Sequence, residues 1–74
     1  MTLNEKVGLQ LRLKRVERRM TLEQVAEKMG VVKNTISYME LGKKNITVED
    51  VQKYCEVLGC DWIDILRKAE AMEQ

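Results

Sequence analysis

The 74 residues contain no proline, no phenylalanine and no histidine, and only four glycines. Without proline nothing obliges a helix to break, so interruptions fall to the glycines and to capping residues. Without histidine the usual general base and the commonest metal ligand are missing. Four residues separate the two cysteines, Cys55 and Cys60, so neither a CxxC redox pair nor a CxxC zinc half-site is present. No glycine-rich loop is built to cradle a phosphate, and no cysteine stands in a constellation with a base. An enzyme, a metal site and a bound cofactor are therefore not expected. No apolar run approaches the ~20 residues of a membrane span, and no signal peptide is visible. The expected location is cytoplasmic, with no membrane partner.

What remains is rich in Leu, Met, Glu, Lys, Gln and Arg, all strong helix formers. The composition predicts an all-α chain forming a single domain over residues 1–74. A domain this small buries only about 60% of its unfolded surface and gains from oligomerisation. The formal net charge of +1 conceals a segregation. Residues 1–20 carry Lys6, Arg12, Lys14, Arg15, Arg18 and Arg19 against two acids, whereas residues 46–74 carry seven acids against three bases. A basic front and an acidic back are compatible with a nucleic-acid partner despite the near-neutral total.

Capping signals and apolar periodicity place five helices. The first runs over 4–18 with Asn4 as its N-cap. The second opens at Thr21, whose T-x-x-Q with Gln24 reads as a capping box, and ends before a left-handed turn at Gly30. The third covers about 33–40 and is closed by Gly42. The fourth follows Thr47 and ends at Leu58 and Gly59. Asp61 caps the fifth, with a stripe of Trp62, Ile65, Leu66 and Ala69, and residues 70–74 are expected to fray. Cys55 continues an apolar stripe with Val48, Val51 and Leu58, which predicts a buried thiol. The first helix carries two stripes, Leu9–Leu13–Val16–Met20 and Val7–Leu11. One suffices for a core; the surplus serves either contact with the last helix or a subunit interface.

Residues 22–41 are the most informative stretch. Two short helices join at Gly30, with the small Ala26 four residues earlier. Val25, Met29, Val31, Ile36 and Met39 are spaced to bury one side of both. Lys33, Asn34, Thr35, Ser37 and Tyr38 fill the outward face of the second. This is a helix-turn-helix pattern, in which one helix braces and the next lies in the DNA major groove. Lys33 suits guanine O6 and N7, and Asn34 suits the adenine edge. Ser37 suits either base type, and Tyr38 a thymine methyl or a phosphate.

From Arg12 to Leu66 the chain resembles the phage-repressor and Cro (Xre) family of helix-turn-helix regulators. The resemblance rests on Thr21, Val25-Ala26, Gly30-Val31, Thr35-Ile36-Ser37, Met39-Glu40, Gly42, Leu58-Gly59 and Asp61. The passage KKNITVEDVQKYCEVLG is also similar to the controller proteins of restriction–modification systems. The resemblance implies a five-helix lambda-repressor-like domain that binds a palindromic operator as a homodimer and regulates transcription, as a repressor or a phage, plasmid or restriction–modification controller. It implies backbone contacts from Thr21, Lys43, Lys44 and Asn45, and a structural pair between Arg15 and Glu40. The remaining arginines, Arg12, Arg18 and Arg19, either flank DNA or keep the surface soluble. Two half-sites about 34–36 Å apart require two copies. Trp62, Ile63 and Leu66 are the candidate dimer surface, with Val7 and Leu11 as the alternative. Two positions depart from the family: Leu22 replaces the usual Gln, and Val32 replaces a capping Ser or Thr. With Leu41, these apolar residues support the alternative of a protein-interaction module, such as an antitoxin or antirepressor.

Overall fold

The computed structural model describes residues 1–72, which form α1 (Leu3–Glu17), α2 (Leu22–Met29), α3 (Lys33–Leu41), α4 (Val48–Leu58) and α5 (Trp62–Ala71). The first helix begins earlier than the asparagine signal suggests. Its N-cap is Thr2, in a reciprocal capping box with Glu5, which leaves Asn4 inside the first turn. Thr21 with Gln24 and Thr47 with Asp50 build the same box at α2 and α4, and Asp61 Oδ1 accepts from the Ile63 amide at α5. Each such cap contributes about 1 kcal/mol. Only α3 starts without one among these helices: Val32 makes no side-chain cap bond. At the far end, α5 extends through Glu70 and Ala71, two of the residues expected to fray. Residues 73–74 of that expectation lie outside the described residues.

The core resolves the double stripe of α1. Val7 and Leu11 are buried with Val25, Ile36, Met39, Val51, Ile65 and Ala69, so they are lost to any subunit interface. The reason is rotational: 100° per residue puts both on the side facing α3 and α5. Leu13 and Val16 point the other way and are exposed. Two further apolar positions differ from expectation. Val31 follows the left-handed turn and is exposed, and Val48 opens α4 too early to reach the core. Cys55 is buried as its stripe predicts, and both cysteines are free thiols.

α1 acts as the central spar, packing against α3, α5 and α4, while α2 packs on α3 and α4. One left-handed turn makes the motif possible. Gly30 adopts φ 72° and ψ 31°, and the Val31 amide reaches back to the Ala26 carbonyl at 3.0 Å. A β-carbon at that dihedral would cost about 1–2 kcal/mol. The α1–α2 turn does without glycine: Arg19 itself takes φ 57°. No described helix is long and apolar enough to cross a membrane.

Candidate nucleic-acid interface

α3 is a nine-residue helix whose inward side chains are Ile36, Met39 and Glu40. Lys33, Asn34 and Tyr38 are exposed on its outer surface, while Thr35 and Ser37 are half-buried at its edges. All five candidate base-reading residues thus remain on one helix, with the first three positions of α3 supplying Lys33, Asn34 and Thr35. The helix start is uncapped, and Val32 beside it is 70% exposed.

The buried end of α3 is held by charge. Arg15 of α1 grips Glu40 through two bonds, Nε to Oε2 at 2.7 Å and Nη2 to Oε1 at 3.1 Å. Its remaining nitrogen, Nη1, donates to the Met20 carbonyl at 2.8 Å, which ties the α1–α2 turn to the same group. Both side chains are largely withdrawn from water, at 13% and 5% exposure. A forked guanidinium–carboxylate pair is directional as well as strong, so it fixes the roll of α3 on α1. A third partner was not legible in the sequence. Tyr54 of α4 is completely buried and donates its hydroxyl to Glu40 Oε2. It lies on the stripe of Val51 and Leu58, where an aromatic ring reads simply as core. The hydrogen bond to Glu40 raises Arg15 above its ordinary value, while burial, and then the neighbouring carboxylate, raises the Tyr54 phenol far above its own. Arg15 is therefore charged and Tyr54 neutral at any physiological pH.

The residues flanking α3 are anchored too. Gly42 closes the helix, and the Lys43 amide donates to the Tyr38 carbonyl at 2.9 Å. Lys43 is exposed and Lys44 half-buried. Asn45 Oδ1 accepts from Asn4 Nδ2 at 3.2 Å, and the Ile46 amide donates to Asn4 Oδ1 at 3.4 Å. Asn4 therefore serves as a brace for the loop, not as a helix cap, and the Asn45 amide nitrogen keeps its donors free. Thr21 Oγ1 accepts from the Gln24 amide at 3.0 Å, which leaves its hydroxyl proton available to an outside acceptor. Between α1, α2 and α3 lies an open groove of about 240 Å³ lined by Arg12, Arg15, Leu22, Ser37, Glu40 and Leu41. The groove puts Arg12 beside α3. The candidate dimer residues are elsewhere, on α5: Ile63 is 42% exposed, and Trp62 and Leu66 are half-buried. No group of three potential metal ligands exists among the described residues.

This geometry has close counterparts. The clp gene regulator ClgR from C. glutamicum superposes with a TM-score of 0.92 at 30% identity, over 100% of this chain and 99% of that one. The wild-type restriction–modification controller protein C.Esp1396I gives 0.84 at 23% identity over 100% and 99% of the two chains. The controller C.AhdI from Aeromonas hydrophila gives 0.77 at 21% identity over 82% and 92%. These two likenesses concern the fold alone. No curated protein sequence matches the chain. A helix-turn-helix family model matches residues 11–65, which span the Arg15–Glu40 pair, the glycine turn and all of α3. With motif, packing and ion pair in place over that span, the chain belongs to the Cro/C1-type helix-turn-helix family of DNA-binding regulators.

Proposed function

We propose that the protein is a homodimeric transcriptional regulator that reads a palindromic operator with α3 and acts as a repressor or controller. The observation that carries this reading is the outward face of α3. Lys33, Asn34 and Tyr38 stand exposed on a helix whose inner end is bolted by a buried ion pair. Such rigidity suits base readout, because hydrogen bonds to base edges require a fixed register. Lys33, Asn34, Thr35, Ser37 and Tyr38 supply the base contacts, and Thr21, Lys43, Lys44 and Asn45 the backbone contacts. The solved relatives carry the names of a gene regulator and of controller proteins, which agrees with this assignment.

One domain offers a single reading helix, and a half-site alone gives too little affinity, so a second copy is part of the proposal. Ile63 is exposed on α5, and Leu66, one turn on, lines an open groove of about 230 Å³ whose walls mix Leu3, Ile46 and Val48 with Asn4, Thr47 and Glu70. An exposed apolar side chain on the same helix as the wall of a partly apolar groove fits an isologous pairing.

One observation favours a second reading, a protein-interaction module. Val32 is 70% and Leu41 49% exposed on the flanks of α3. The deciding experiment is selection from a randomised duplex library, followed by affinity for the winning duplex and for bulk DNA at two salt concentrations. A regulator enriches a palindrome and loses affinity steeply with salt. An interaction module enriches nothing and shows no such slope.

A further inference from the structure

α3 is short, uncapped at its start, and packs on α1 and α2 without packing directly on α4. Tyr54 nevertheless bridges α4 to α3, because its ring crosses the core and its hydroxyl ends on Glu40 Oε2. That oxygen already receives Arg15 Nε. Glu40 is therefore restrained from two sides, by a guanidinium on α1 and a phenol on α4. The two restraints do different things. Arg15 meets the carboxylate as a planar fork, which fixes α3 against α1 in the plane of the fork. It leaves motion of the carboxylate out of that plane, and so tilt of α3 about the pair, less restricted. A donor from a third helix removes that freedom. Lys33 lies seven residues from Glu40, about 10 Å along the helix, so a small tilt at Glu40 becomes a larger displacement at the reading end.

We infer that Tyr54 is a positioning residue for the recognition helix, completing an Arg15–Glu40–Tyr54 lock that joins α1, α3 and α4 and sets where Lys33 and Asn34 stand. The inference rests on the DNA-reading assignment of α3. A tyrosine present only to fill the core needs no hydroxyl there, and phenylalanine would fill the same space without desolvating an oxygen. The lock leaves no buried side-chain polar atom without a partner among the described residues, as a specific network requires.

The test compares Tyr54→Phe with Ile65→Val, a core substitution in α5 that leaves all three polar groups of the lock in place. Both variants are held at a temperature where circular dichroism shows full native helix. Affinity is measured for the library-selected duplex and for bulk duplex at one salt concentration. Tyr54→Phe is expected to reduce the ratio of selected to bulk affinity about tenfold, the discrimination lost when a displaced Lys33 or Asn34 gives up one base contact. Ile65→Val should leave the ratio unchanged. Equal ratios in the two variants overturn the inference. A DNA-free measurement separates this outcome from failure of the DNA assignment. Amide exchange in Tyr54→Phe should quicken in α3 relative to α2, whereas a uniform change along the chain overturns the lock. The wild-type protein supplies a check without any substitution, by proton NMR: the Tyr54 hydroxyl proton should be protected and close to Arg15 Hε, and a freely exchanging proton overturns it.

Discussion

Gly8 and Met39 meet backbone to backbone: a β-carbon on Gly8 would stand 2.3 Å from the Met39 carbonyl oxygen and 2.6 Å from that of Glu40. No side chain fits between α1 and α3 at this point. Gly8→Ala gains about 1 kcal/mol of helix propensity, but the clash is with backbone that has nowhere to move. A net loss of about 2 kcal/mol is expected, lowering the melting temperature by roughly 10 °C. A thermal melt at or above the wild-type midpoint would contradict the packing.

The uncapped start of α3 predicts a gain. Val32 already has the extended backbone of an N-cap, with φ −80° and ψ 154°, and lacks only an oxygen. Val32→Ser should therefore stabilise the fold by up to about 1 kcal/mol, raising the midpoint by about 4–8 °C. Thermal unfolding of the two proteins side by side measures it.

Two buried acids set the alkaline limit. Burial, followed by the neighbouring Cys60, pushes the Cys55 thiol well above its ordinary 9.0, and burial with Glu40 pushes Tyr54 above 10.0. In the unfolded chain both groups release protons that the fold retains. Stability is thus fully present below pH 9 and declines as pH rises through 9 for the thiol and 10 for the phenol. Urea midpoints at pH 7, 9, 10 and 11 should fall in that order above 9. Cys55→Ala should remove the earlier part of the slope, and a flat profile to pH 11 would refute the assignment.

At the proposed interface, Asn34 and Lys43 should separate cleanly. Asn34→Ala is expected to cost about 1–3 kcal/mol on the selected duplex and little on bulk DNA. Lys43→Ala should weaken both alike and flatten the salt slope by about 0.9. Fluorescence anisotropy across a salt series reads both effects. Equal losses on the two DNAs for Asn34→Ala would remove it from base readout.

Much of this architecture was legible because it is local. Thr21 with Gln24, Thr47, Gly30, Gly42 and Asp61 act within a few residues of themselves, and each sits at the helix end that its chemistry predicts. What escaped is non-local. Thr2 and Asn4 offer similar cap chemistry two residues apart. The choice goes to Thr2 because Glu5 lies three residues on, and because the Asn4 side chain is engaged with residues 45 and 46. Which stripe of α1 is core depends on α3 and α5, so periodicity alone offered both. Tyr54 was invisible as a lock, since the carboxylate it meets is fourteen residues away on another helix. The Arg15–Glu40 pairing came from family resemblance, and no spacing rule would have produced it.

The position of α1 beneath both α3 and α5 has a geometric consequence. No hinge separates the reading helix from the Ile63 face, so in a pair joined through α5 the two reading helices stand at one fixed distance and phase. Each base pair added between half-sites turns one of them by about 35° around the duplex axis. A frame without slack has no way to follow that rotation. The operator's internal spacing is then as much a part of its sequence as the bases that α3 touches.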